Sequence, residues 1–155
     1  MSLLLLSVLL IGVVAGLRAM TAPAIASWAA ALGVLPLSGT PLAFLGWRLT
    51  PWILSLLAVA ELVTDQLPNT PSRKVPLQFG TRIVAGAFSG AALGLQGGLL
   101  WPGMLIGAIG AVLGTYAGAA ARATLARRFG KDRPAALIED VAAIVLGVLA
   151  MALLP

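Results

Sequence analysis

The sequence predicts an all-α polytopic membrane bundle, built from about six short transmembrane helices with Gly- and Ala-rich packing faces. Three observations lead there. The chain has 155 residues, 60% of them hydrophobic and 10% charged, whereas an ordinary soluble domain is about 45–50% apolar and about 25% charged. A particle this small buries only about two-thirds of its unfolded surface, so the remaining apolar surface is expected to face lipid. The apolar residues also gather into six segments, and a helical crossing needs roughly 20 residues. Finally, six crossings would put nine of the ten cations on one side and Arg48 alone on the other.

The segments follow in order. Segment 2–16 has no Lys or Arg before it and Arg18 after it, so it reads as a mature first span, not a cleaved signal. Segment 19–35 is interrupted early by Pro23, and segment 42–67 carries Arg48 and Pro51 near its start, leaving 52–67 as its dense part. Segments 81–95, 99–121 and 135–154 complete the set. Turn residues separate them: Pro36 to Pro41, Pro68 to Arg73, Gly97-Gly98, and Gly130 to Pro134. Several segments fall short of a full crossing, which points to a compact bundle, local bilayer thinning, a re-entrant segment or a homo-oligomer such as a dimer. The sorted cations place the basic side in the cytoplasm and both termini outside a cytoplasmic (inner) membrane. On this reading Arg122, Arg127, Arg128, Lys131 and Arg133 meet anionic lipid headgroups. No nucleic acid partner is expected.

A weak internal repeat runs through the single domain. Gly16-Leu17-Arg18 and Gly80-Thr81-Arg82 lie 64 residues apart, and at the same offset Ala22, Ala26 and Ala30 match Gly86, Gly90 and Gly94. This is a parallel repeat over 16–66 and 80–122. Gly86, Gly90 and Gly94 form one small-residue ridge, and Gly103, Gly107, Gly110, Gly114 and Gly118 form a longer one. Spacing near four returns to the same helix face and lets two backbones approach closely. The ridges are expected to join helices, within one chain or between chains.

Absences restrict the chemistry. There is no Cys and no His, which removes thiolates, disulfides and the commonest general base and metal ligand. No cofactor is expected, no catalytic residue stands out, and the balance is against an enzyme. The acids are Glu61, Asp65, Asp132, Glu139 and Asp140. Glu61 and Asp65 are four apart and share a helix face. Under the six-crossing topology, Glu139, Asp140, Arg18 and Arg82 fall in the same layer of the bundle. Charges in such a place face the interior and pair with one another. They could form a structural ion-pair network, or an ion or substrate path. A hard cation could draw on the carboxylates and the hydroxyls of Thr64, Thr70 and Ser72; which metal, if any, the residues leave open. The stiff loop of Pro68, Asn69, Thr70, Pro71, Ser72 and Arg73 reads as a helix-ending turn or as a gate or binding loop.

Three motifs carry a resemblance: Gly16-Leu-Arg-Ala-Met-Thr-Ala-Pro23, then Glu61-x-x-x-Asp65-x-x-Pro68-x-x-Pro71-Ser72-Arg73, then Gly80-x-Arg82. Together they resemble a bacterial integral-membrane family designated only as a domain of unknown function. The resemblance covers nearly the whole chain and implies a small polytopic membrane protein without supplying an activity. The functional expectation is a small transporter or channel-like permease for an ion or small solute. The alternative is a structural or assembly membrane protein held by glycine-zipper packing. A lipid-phosphate enzyme, with acids on a divalent metal and Arg18, Arg73 or Arg82 on phosphate, ranks third.

Overall fold

Proline chemistry sets the first break in the chain. A helix running on from α1 (Ser2–Leu17) would meet Pro23, whose ring clashes with the carbonyl four residues back and which has no N–H to donate. The backbone instead turns extended at Arg18, with φ −142° and ψ 108°. It restarts as α2 (Thr21–Ala31), placing Pro23 in the first turn, where a missing N–H costs nothing. The computed structural model describes residues 1–67 and 74–155. Among these, four further α-helices follow: α3 (Thr50–Thr64), α4 (Pro76–Gly94), α5 (Leu100–Phe129) and α6 (Asp132–Ala152). A short 3-10 turn at Ala43–Gly46 leads into α3. Pro51 and Pro76 open α3 and α4. Gly130, at φ 67°, ends α5 in the left-handed region that an L side chain resists.

The centre of the bundle is a glycine seam among α1, α4 and α5. Gly86, Gly90 and Gly94 of α4 lie against Gly103 and Gly107 of α5, while Gly12 and Gly16 of α1 lie against Gly107, Ala111, Gly114 and Thr115. A Cβ at Gly107 would come within 2.9 Å of the Gly90 Cα, and one at Gly110 within 2.9 Å of the Gly12 Cα. Glycine is therefore required there for the backbones to touch. Gly118 is also buried on α5. α2 and α3 form a flanking pair: the Trp28 indole N–H donates to the Ser55 hydroxyl at 2.9 Å, and the Trp28 and Trp52 rings meet edge to face at 5.0 Å. α6 packs against α1 and α5. Large apolar side chains also stand on the outer faces of α3, α5 and α6, among them Leu56, Leu105 and Val145.

Several expectations are corrected by these elements. The bundle is helical, but it is not a set of six membrane crossings. Among the described residues only α5, with 30 residues and mean hydropathy 1.7, and α6, with 21 and 2.1, are long and apolar enough to cross. α1 and α3 are shorter apolar helices. α2 has 11 residues, about 17 Å of helix, against the roughly 30 Å of a hydrocarbon core. The apolar segment 19–35 overstated α2 because hydropathy counts the non-helical residues after Ala31 equally. α5 runs on through Arg122 to Phe129, past the end at residue 121 expected for its apolar segment. The inner-membrane location, the outside termini and the bilayer as partner all depended on six crossings and fall with them. The glycine ridges meet each other and α1 within the chain, which removes the zipper to a partner helix, and the dimer expected from short crossings loses that basis with the crossings.

Candidate functional site

Breaking a helix at residues 18–20 leaves carbonyls at the end of α1 and N–H groups at the start of α2 without helical partners. Long-range side chains satisfy them. The Arg82 guanidinium, on α4, donates Nη1 to the carbonyls of Gly16 at 2.9 Å and Leu17 at 2.6 Å. Thr115 of α5 donates its hydroxyl to the Ala111 carbonyl at 2.8 Å and reaches the Gly16 carbonyl at 3.3 Å. From α3, the Glu61 carboxylate accepts the N–H groups of Ala19 and Met20, each at 2.8 Å. Cation at a helix C-terminus and anion at an N-terminus is the arrangement that the helix dipole favours.

The side chain of Arg18 fills the centre of this arrangement and is fully buried. Its Nε donates to Asp140 Oδ1 at 2.6 Å, its Nη1 pairs with Asp65 Oδ2, and its Nη2 lies 3.7 Å from Glu139 Oε2. Arg82 Nη2 lies 3.8 Å from Glu61 Oε1 and 3.7 Å from Asp65 Oδ2. The Gln66 amide reaches Asp140 Oδ2 at 3.5 Å. The structure thus brings Arg18, Arg82, Glu61, Asp65, Glu139 and Asp140 into one cluster joining α1, α2, α3, α4 and α6. Pro68, Asn69, Thr70, Pro71, Ser72 and Arg73, expected as a gate or binding loop, lie outside the described residues.

Arg122 belongs to the cluster too, although the sequence reading set it at a lipid surface. It donates to both Asp132 oxygens, at 3.0 and 2.6 Å, to Glu139 at 3.5 Å, and to the Asp65 carbonyl at 3.0 Å. Hydrogen bonding to Asp132, the largest influence, holds its pKa above the ordinary guanidinium value, with the charges of Asp132, Glu139 and Asp65 adding to it against desolvation. A signal for this was present: Arg122 stands eight residues before Gly130 and Glu139 nine after, so a helical hairpin turning at Gly130 sets them opposite each other. The remaining expected headgroup cations, Arg127, Arg128, Lys131 and Arg133, are exposed at that hairpin.

The cluster also corrects the functional expectations. A permease needs a path, yet these carboxylates are occupied by guanidinium and backbone N–H groups. The phosphate-binding role considered for Arg18 and Arg82 is blocked by their buried carboxylate and carbonyl partners. The Thr64 hydroxyl, considered as a cation ligand, donates to the Glu61 carbonyl. Among the described residues no group of His, Cys, Asp and Glu is arranged to hold a metal ion.

Beside the cluster lies a feature that the sequence did not announce, an apolar groove of about 470 Å³. One wall is the first two-thirds of α4, with Pro76, Leu77, Gly80, Thr81, Val84, Ala85 and Phe88. The other is Met20 and Pro23 at the start of α2, with Leu54 of α3. No charged side chain lines it, and the Thr81 hydroxyl donates into its own helix, to Leu77, at 2.8 Å. A Cβ on Gly80 would meet nothing within 4 Å, so α4 leaves space there. Such a groove forms only when three helices meet at fixed angles; in sequence its residues carry no common motif. No family model, curated protein or solved structure matches the chain, and the family resemblance rests on its motif residues alone.

Proposed function

We propose that this chain is a small binding protein whose site is the groove between α2, α3 and α4, and whose charge cluster is a lock that fixes the groove walls. The ligand class is a small apolar molecule such as an alkyl chain. The observation that carries the reading is the groove itself. Ligand sites are concave, mostly apolar and of about 300–1,000 Å³, and the groove has about 470 Å³ and an uncharged lining. No reaction is assigned to it.

The test is photolabelling with a diazirine-bearing dodecane, mapped by peptide mass spectrometry. Labelling at Leu77, Val84 and Phe88 should saturate and be competed by unlabelled dodecane. Labelling on the outer faces, at Leu105 or Val145, should rise linearly with probe. Gly80→Leu, which places a side chain in the open space of the groove, should remove the saturable component and leave the linear one. Groove labelling that rises as linearly as the outer faces contradicts the proposal and leaves the lock as a structural device alone.

A further inference from the structure

We infer that Glu61 is a positioning residue for the groove, so that the charge lock sets the groove's affinity; this rests on the binding reading above. The two features share parts. Met20 gives its N–H to the Glu61 carboxylate and its side chain to the groove wall. Leu54 and Glu61 lie seven residues apart on α3, two helical turns, and so share the face that meets the start of α2. Across the groove, Thr81 lines the opposite wall and its neighbour Arg82 holds the last carbonyls of α1.

The consequence follows from capping geometry. Glu61 takes two adjacent N–H groups at 2.8 Å, which fixes where α2 begins and the direction in which Met20 and Pro23 project. Without that acceptor the amides of Ala19 and Met20 must find other partners, and the wall they carry shifts away from Leu54. Preformed walls bind more tightly than walls that must be ordered by the ligand. Glu61 therefore acts on the ligand through Met20, without touching it.

The half-saturation concentration for groove labelling tests this in the full chain. Glu61→Ala, which removes the acceptor of both N–H groups, should raise it about tenfold. Glu61→Gln keeps one acceptor oxygen and should fall between Ala and wild type, and it serves alone if the Ala variant does not fold. Arg128→Gln, which removes an exposed charge at the α5–α6 hairpin outside the lock, should leave half-saturation unchanged. A purely structural role would lower the melting temperature of the Glu61 variants without moving half-saturation, and that result overturns the inference. Failure of the wild type to show any saturable labelling overturns the binding reading instead, and this inference with it.

Discussion

At the scale of single residues, burial decides what each charge contributes. Arg18 is fully buried between Asp65 and Asp140. Removing one partner of a buried pair leaves an uncompensated charge, so Arg18→Met should cost about 3–5 kcal/mol in denaturant unfolding. Asp132 pairs with Arg122 as well, but its side chain is 59% exposed, and Asp132→Asn should cost no more than about 1 kcal/mol. Equal losses for the two would contradict the graded lock. This scale is only partly legible in the sequence. Four-residue spacing put Glu61 and Asp65 on one face, but which partner each takes was not readable. The acceptor role of Glu61 depends on N–H groups 41 and 42 residues away, and these are free to be accepted only because Pro23 breaks the helix. Arg122 was misread because it sits in a run of cations, and charge counting does not see that a helix carries it inward.

At the scale of elements, glycine has two opposite uses. In the seam, Gly107 touches α1 and α4 together. A Cβ on Gly107 runs into the Gly86 carbonyl and the Gly90 Cα, so Gly107→Ala forces α4 away from α5 and should cost about 1–3 kcal/mol or more as an overpacking change. Gly80, in α4 but facing open space, should behave in the opposite sense: Gly80→Ala should stabilise by up to about 1 kcal/mol, the propensity difference in a helix interior. Thermal or denaturant unfolding of the pair reads the sign directly, and destabilisation by both would mean that the groove is closed at Gly80. The four-residue glycine spacing was legible as a packing face. Whether the facing helix belonged to the same chain was not, because spacing describes one helix and says nothing about its neighbour. Helix lengths were blurred for a related reason: apolar residues in the connection after α2 raise the hydropathy of a segment as much as helical ones do.

At the scale of the whole molecule, the buried and half-buried charge cluster ties the six helices together, while the groove lies where the lock meets α2, α3 and α4. The apolar excess that dominates the composition led the reading toward six crossings, but composition does not determine how many helices are long enough to cross. The sparse charged fraction is what organises the tertiary structure. Arg82 and Glu61 close the two ends of the break between α1 and α2, and Arg18 is threaded through the gap between them. The shape of the groove therefore depends on the lock being closed. Amide hydrogen exchange at Ala19 and Met20 measures that most directly, since the first N–H groups of a helix exchange quickly unless something accepts them. Both amides should be protected in the wild type and lose protection in Glu61→Ala. Exchange at both positions as fast as in an unstructured peptide, in the wild type, would contradict the lock.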